Sequence, residues 1–406
     1  HGNNPQWPHF GQLMRYMNRT ATLLSTGNAA RPVAILYHAD AEWAGDAIPI
    51  ERVAAKLTRA QIDFDFVPAE AFEDEERYEV SIADGTLAVN GCRYQAFVVT
   101  GASFIGAATA EAARRMMAAG VMVFAVDKVP SALYDADGAA ELDGLTATPL
   151  AGVADVLAAA GLQTVVTDTP QPWLRALRYE RAGETYVMLV NEHPRESIRC
   201  TVALARGERL RGTRLDLLNG TEPVAFDGVL ELEPAESCVV VLEANGEVES
   251  DSCADTSAGA DSALILNIDG PWTVALSPAG SDGTFGEPQK LEGLCDLTAE
   301  LFAGTCGTYR YHTSFELADN LADTAIDLGD VYETATLTLD GRPLGTRICP
   351  PYRFATGPLT VGTHELTIDV INTLDHAIPD IFALTEPVAP SGVLGPVALC
   401  GQNLPK

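Results

Sequence analysis

The sequence predicts a multidomain protein in which an α/β domain is followed by all-β domains. Its 406 residues are enough for about two to four domains of ordinary size. Short apolar runs at 33–37, 64–67, 96–100 and 121–125 alternate with helical segments, which is typical of a doubly wound parallel sheet. From residue 307 onward apolar and polar residues alternate, which is typical of antiparallel strands with one buried face.

Residues 1–30 are predicted to contain one helix. Gly27 supplies its stop signal. The opening HGNNPQWPHF is neither a signal peptide nor an initiator methionine, so we expect a chain cut from a longer protein. The apolar side chains at helical spacing are Phe10, Leu13, Met14, Met17, Ala21 and Leu24.

Residues 31–170 are predicted to form a doubly wound, flavodoxin-like domain with right-handed crossovers. The turn Gly101-Ala102-Ser103-Phe104 follows a buried strand and opens a helix. Ser103 could serve there as a nucleophile, but a plain strand–helix turn explains the same residues. The glycines read GASFIG, which is not the GxGxxG of a dinucleotide site. We therefore expect a structural domain.

Residues 171–244 are predicted to form a small β-sandwich. Leu177–Arg181 and Thr185–Asn191 are separated by Ala182-Gly183-Glu184, which favours a hairpin. Residues 245–262 are acidic, rich in Ser, Ala and Asp, and contain no aromatic residue, so they are predicted to be a linker.

Residues 263–406 are predicted to form an antiparallel sandwich. Tyr309, Tyr311 and Phe315 alternate with polar residues along the first long strand. Asp340-Gly341 lies where a tight turn should join two later strands, because Gly tolerates positive φ and Asp can bond the turn backbone.

Composition narrows the classes of partner. The net charge is −30, which disfavours nucleic acids and anionic membranes and suits neutral ligands such as sugars. No apolar run is long enough to span a bilayer. The eight cysteines are scattered without a CxxC pair, so we expect mostly buried free thiols, which favours the cytoplasm. The alternative for one pair is a Cys295–Cys306 bridge.

Three stretches carry a family resemblance. LGDVYETATLTLDGRPLGTRICPPYRF, VGTHELTIDVINTL and SGVLGPVAL resemble the galactose-binding-like jelly roll of glycoside hydrolase family 2, which α-L-rhamnosidase-like enzymes share. The 31–170 domain resembles the class I glutamine-amidotransferase-like module of family 42 β-galactosidases, where it serves oligomerisation. The first 27 residues, through matches such as His1-Gly2, Trp7-Pro8 and Phe10, resemble the end of the catalytic barrel in rhamnosidase-like enzymes, which implies that His1, Asn3 and Trp7 lie near the barrel rim. The alternative, favoured for a chain without the barrel, is that Trp7 and Phe10 anchor a helix on a neighbouring domain.

The resemblance implies an accessory, non-barrel region of a large glycoside hydrolase, with its own missing catalytic domain as partner and possible homo-oligomers. No residue in the chain is placed by the family pattern as acid, base or nucleophile, so we expect no catalytic residue, and no cofactor. A free-standing carbohydrate-binding protein is the alternative. No metal ligand set emerges, although structural calcium sites in jelly rolls leave almost no sequence signature.

Sugar binding would use aromatic faces together with Asp, Asn and Arg side chains that bond hydroxyl groups. The same residues could instead hold the jelly roll together, which is the stronger alternative. The candidates are Trp272, Asp330, Tyr332, Tyr352, Arg353 and Asn372.

Overall fold

The computed structural model describes residues 4–205, 207–242, 264–378 and 388–401. The chain divides into two compact units, Thr20–Val248 and His1–Arg19 with Glu249–Lys406. The predicted linker at 245–262 lies outside the described residues, as do His1 and Asn3. In chain order the helices are α1 (Phe10–Leu23), α2 (Ala39–Ala44), α3 (Ile50–Arg59), α4 (Glu70–Glu73), α5 (Ala107–Ala118), α6 (Val153–Ala159) and α7 (Leu297–Glu300), with short 3-10 helices at Trp7–His9, Leu150–Gly152 and Leu374–His376.

The described strands fall into two groups along the chain. Those of the Thr20–Val248 unit are β1 (Asn28–Ala29), β2 (Val33–Tyr37), β3 (Phe64–Pro68), β4 (Ser81–Ala83), β5 (Thr86–Val89), β6 (Cys92–Tyr94), β7 (Ala96–Val99), β8 (Phe104–Ile105), β9 (Met122–Val126), β10 (Ala132–Leu133), β11 (Ala147–Thr148), β12 (Val166–Thr167), β13 (Leu174–Arg181), β14 (Glu184–Asn191), β15 (Ile198–Ala203), β16 (Gly212–Leu215), β17 (Val224–Phe226), β18 (Val229–Leu232) and β19 (Ser237–Leu242). Those of the other unit are β20 (Leu264–Asn267), β21 (Trp272–Pro278), β22 (Gln289–Leu291), β23 (Gly307–Leu317), β24 (Leu321–Asp327), β25 (Asp330–Tyr332), β26 (Thr334–Leu339), β27 (Arg342–Arg347), β28 (Arg353–Leu359), β29 (Gly362–Ile371), β30 (Gly392–Gly395) and β31 (Ala398–Gly401).

A five-stranded parallel sheet lies at the centre of the first half of the Thr20–Val248 unit. Its spatial order is β3-β2-β7-β9-β11, and every neighbouring pair is parallel. In chain order this reads 2-1-3-4-5, the order of one common doubly wound sheet. The central strands β2 and β7 are apolar and buried on both faces because helices cover both.

Each face of the parallel sheet packs against its own pair of helices. Ala34, Leu36 and Val99 pack on one side with residues of α4 and α5. Val33 and Ile35 pack on the other side with residues of α3 and α6. A fully buried strand therefore needs an unbroken apolar run, which is what the sequence has at 33–36.

The second half of this unit is a sandwich of two antiparallel β-sheets. The antiparallel sheet β1-β13-β14-β19-β16-β17 faces the antiparallel sheet β12-β15-β18. Leu174, Val187 and Val240 from the first sheet share a core with Ile198 and Leu230 from the second. The strands β1 and β12 come from before residue 171, so these sheets draw on earlier parts of the chain.

The other unit contains a sandwich of antiparallel strands. One sheet has the order β22-β21-β23-β29-β26-β27, the other β20-β31-β24-β28, and β25 pairs with β30 beside them. Along β23 every second residue is buried, as the alternation predicts. Asp340 and Gly341 have φ of 51° and 75° in the two-residue turn between β26 and β27, which confirms the predicted tight turn.

Helix α1 confirms the predicted helix near the start of the chain, although none of its residues is buried. The seven cysteines within the described ranges are free thiols, so Cys295 and Cys306 are not bridged. None of the helices in the described ranges has the length and apolar character needed to cross a lipid bilayer.

Candidate functional site

Trp272 lies in the core of the sandwich formed by strands β20 to β31 rather than on its surface. Its side chain is 2% exposed and meets the Tyr311 ring edge-to-face, with ring centroids 6.3 Å apart. A tryptophan buried to this extent presents no open face on which a sugar ring could stack. The structure therefore places Trp272 in the packing role that the sequence left open as the alternative.

Asn372 is also buried, and its hydrogen bonds explain why. Its side-chain oxygen accepts the Gly307 N–H at 2.9 Å, and its Nδ2 donates to the Thr305 carbonyl at 3.1 Å and to the Tyr309 hydroxyl at 3.2 Å. These bonds tie the end of β29 to the beginning of β23. Asn372 thus fixes strand ends in the sandwich.

The remaining four candidates gather near β25. Asp330 is exposed and Tyr332 is half-buried on this short strand, and half-buried Glu333 follows directly. Tyr352 is 5% exposed. Burial raises its pKa well above the usual range, and the nearby charge of Glu333 adds to the effect. Tyr352 therefore lies beneath this surface and within electrostatic reach of it.

Arg353 supplies the positive charge in this region. Its Nε lies 3.4 Å from Asp327 Oδ2, and the two residues are partners across β24 and β28. We name Asp327, Asp330, Tyr332, Glu333 and Arg353 the β25 patch. It combines carboxylates, a guanidinium and a phenol, which are groups that can accept from and donate to sugar hydroxyls.

The turn at Ser103 has a feature that the sequence argument missed. Lys128 Nζ donates to Ser103 Oγ at 2.7 Å, across 25 positions of chain. Lys128 is exposed to solvent. The contact orients the Ser103 hydroxyl. The one sequence signal was rarity, because Lys128 is one of only four lysines.

His38 lies at the carboxyl end of β2, in the same α/β domain. Its side chain is 2% exposed, and neither ring nitrogen has a hydrogen-bond partner among the described residues. Burial lowers its pKa from 6.5 to about 4, so the ring is neutral at pH 7.

Of the three rim candidates, only Trp7 lies within the described residues. Its side chain is 48% exposed and stacks on Phe10, with ring centroids 5.1 Å apart. The rim assignment of all three residues stays a prediction. In the described ranges no group of three or more His, Cys, Asp or Glu side chains is placed to hold a metal ion.

Comparisons with known proteins identify the fold. No family model and no curated protein matches the sequence. Among solved structures, a rhamnosidase from Novosphingobium sp. PP1Y aligns over 98% of this chain and 41% of its own, with a TM-score of 0.62 and 20% identity. The chain has a glycoside-hydrolase-like fold. It spans about two fifths of the rhamnosidase chain.

Two other glycoside hydrolases align over parts of the chain. A β-galactosidase from Bacillus circulans sp. alkalophilus covers 60% of this chain and 46% of its own, with 11% identity and a TM-score of 0.42. An exo-carrageenase of family GH42 from Bacteroides ovatus covers 53% of this chain and 29% of its own, with 13% identity and a TM-score of 0.36.

Proposed function

We propose that this chain is an accessory region of a glycoside hydrolase that works beside a catalytic barrel and does not itself break the glycosidic bond. The observation that carries the proposal is the rhamnosidase alignment, which takes in 98% of this chain but only 41% of the other. A region of that extent leaves room in the relative for a separate catalytic domain. Sugar hydrolysis needs two carboxylates facing each other across the scissile bond, and the β25 patch instead holds its acids at a surface.

We propose a separate role for each domain of the chain. We assign the parallel sheet and its helices to an amidotransferase-like domain with a scaffolding and self-association role. The strand order 2-1-3-4-5 supports that assignment. We assign the 263–406 sandwich to a family 2-type jelly roll, and its two facing antiparallel sheets support this. The intervening sandwich is a structural spacer.

The test is hydrolysis. The isolated chain is assayed at micromolar concentration against aryl α-L-rhamnosides and aryl β-galactosides, and we expect release of the aryl group no faster than in buffer. The DNA on both sides of the region that encodes residues 1–406 is sequenced in parallel. We expect it to encode a barrel of βα repeats in the same reading frame. Turnover near the 1–1,000 s⁻¹ typical of enzymes by the isolated chain would overturn the proposal.

A second candidate function, a free-standing carbohydrate-binding protein, is favoured by the exposure of Asp330 and the half-burial of Tyr332 in the β25 patch. Its test is a glycan array probed with the wild-type chain, Tyr332→Ala and Asp330→Asn. The matched control is Trp43→Ala, which removes an aromatic residue that is 81% exposed in the other unit. Binding lost in both patch variants and kept in the control supports this function, and no binding by the wild type dismisses it.

A further inference from the structure

Trp173 presents a large aromatic surface to solvent directly before β13, in the Thr20–Val248 unit. It is 46% exposed, although tryptophan is largely buried in most folded proteins. Its ring meets the His193 ring edge-to-face, with ring centroids 5.1 Å apart and an interplanar angle of 88°. One perpendicular ring covers at most one face of the indole. The exposed part of Trp173 is therefore available to stack on a ligand.

The loop that carries His193 is fixed from beneath by Asn191. Asn191 is fully buried, and its side-chain oxygen accepts the His193 N–H at 2.9 Å. Its Nδ2 donates to the Glu196 carbonyl at 2.8 Å and to two carbonyls at the end of β18 at 3.2 and 3.1 Å. His193 Nδ1 accepts two backbone N–H groups of the same loop, the shorter bond being 2.7 Å from Glu196. Trp173 thus rests on a rigid support, as a preorganised site requires.

An ion pair between Arg175 and Glu192 lies next to Trp173. The Glu192 N–H donates to the Trp173 carbonyl at 3.0 Å, which continues the ladder of β13 and β14 by one residue pair. Arg175 Nε lies 2.6 Å from Glu192 Oε2. Arg175 Nη1 donates to the carbonyls of Pro172 and Leu174 at 2.8 and 3.2 Å, which fixes the guanidinium. The two charged side chains are 23% and 50% exposed, so both can meet hydroxyl groups that arrive from solvent.

We propose that Trp173, Arg175 and Glu192 form a shallow binding site for one neutral sugar ring of a glycan. The C–H groups on one side of a pyranose carry partial positive charge and stack on the electron-rich face of an indole. Arg175 offers N–H donors and Glu192 offers carboxylate acceptors, which match hydroxyl groups at the edge of the ring. The net charge of −30 disfavours an acidic sugar. The choice of a sugar among ligands with this chemistry rests on the proposed function.

The experiment uses the whole chain with 5-fluorotryptophan in place of its four tryptophans. The ¹⁹F NMR signal of Trp173 is the one missing from Trp173→Phe. Methyl α-L-rhamnopyranoside, methyl β-D-galactopyranoside, galacturonate and the open-chain polyol D-sorbitol are each added up to about 50 mM. We expect at least one of the two neutral glycosides to shift the Trp173 signal in a saturable way. The signal of Trp43, which is 81% exposed, should stay unchanged and controls for solvent effects.

Glu192→Gln tests the carboxylate, because the amide keeps the shape of the side chain and one acceptor oxygen. We expect this variant to weaken binding about fivefold, since a charged acceptor forms a stronger hydrogen bond than a neutral one. Glu196→Gln is the matched control on the same loop. Its side chain is 80% exposed, and its backbone N–H still reaches His193, so it should bind within a factor of two of the wild type.

Several outcomes would overturn the proposal. They are no saturable Trp173 shift with either neutral glycoside, an equal shift with D-sorbitol, a parallel shift of the Trp43 signal, tighter binding of galacturonate, and equal binding by Glu192→Gln and Glu196→Gln. A Trp173 signal that moves with protein concentration alone would also overturn it, because another copy of the chain would then cover the ring. No step requires hydrolysis, so failure here leaves the proposed accessory function standing, and turnover of aryl glycosides would leave this site standing.

Discussion

Replacing His38 should remove a defined part of the acid sensitivity of the Thr20–Val248 unit. The buried ring has a pKa of about 4, and we take 6.5 for the unfolded chain, so protonation favours unfolding as pH falls through this window. A shift of about 2.5 pH units corresponds to about 3 kcal/mol in total. Because the folded-state pKa is depressed, this stability is present above pH 6.5 and is lost toward pH 4. Between pH 7 and pH 5 the loss should be about 2 kcal/mol.

His38→Leu and His38→Gln are the informative pair. Neither side chain titrates, so both variants should lose about 2 kcal/mol less than the wild type between pH 7 and pH 5. They should differ at pH 7, because leucine removes two buried nitrogens that lack partners and glutamine keeps a buried polar group. We expect His38→Leu to be the more stable of the two.

The assay is urea unfolding at pH 7 and pH 5, followed by the methyl resonance of Met116. This side chain is fully buried on α5, in the same unit as His38, so its folded and unfolded peaks report that unit alone. Comparing wild type with variants cancels the other groups that titrate in this range. If all three proteins lose the same free energy of unfolding between the two pH values, the assignment of acid sensitivity to His38 is wrong.

Three further predictions concern particular contacts. Burial alone would lower the pKa of His364, but its 2.7 Å bond to Asp340 and its bond to a backbone carbonyl raise that pKa above 6.5 on balance. The stability that His364 contributes is therefore full below pH 6.5 and is lost as pH rises through the raised pKa. The ¹H NMR titration midpoint of His364 should fall in Asp340→Asn. Asn372→Ala removes the three hydrogen bonds of that buried side chain and should cost about 3 kcal/mol in urea unfolding, monitored by Trp272 fluorescence in a background in which Trp7, Trp43 and Trp173 are replaced by Phe. Gly101→Ala places Cβ 1.9 Å from the Val126 carbonyl oxygen and should cost about 3 kcal/mol or more by the Met116 assay, whereas Gly152→Ala, with no atom within 4 Å of the added Cβ, should be near neutral.

Each of these predictions has an outcome that contradicts it. An unchanged His364 midpoint in Asp340→Asn would mean that the carboxylate does not hold the proton on the ring. A loss below about 1 kcal/mol in Asn372→Ala would mean that water replaces the three bonds. Equal stability of Gly101→Ala and Gly152→Ala would mean that the sheet can move away from Val126.

The sequence predicted strands best where buried residues recur at a regular spacing along the chain. The alternation along β23 and the unbroken apolar run of β2 both report which faces are covered, because that information is local. The Asp340-Gly341 turn was predictable for the same reason. The hairpins at Asp84-Gly85 and Asn90-Gly91, which join β4, β5 and β6, carry the same turn signal and were missed.

Contacts between distant parts of the chain could not be read from the sequence. Lys128 reaches Ser103 only because parallel strands end at the same edge of their sheet. Gln61 and Leu174 meet only because α3 packs beside β13, 113 positions apart. The position of Trp272 could not be read from the sequence either, since composition cannot tell whether its ring faces a ligand or the core. Which side a large apolar ring takes depends on the strands that pair around it.

The early strands β1 and β12 have a practical consequence for dissecting the protein. A cut near residue 171 would release a second sandwich from which Asn28–Ala29 and Val166–Thr167 are missing. The backbone of β13 and β15 would then be open to pairing with any neighbouring molecule. Fragments for crystallisation or display should therefore retain the chain from residue 20 onward, because β1 and β12, which precede residue 171, pair with strands of the later β-sheets.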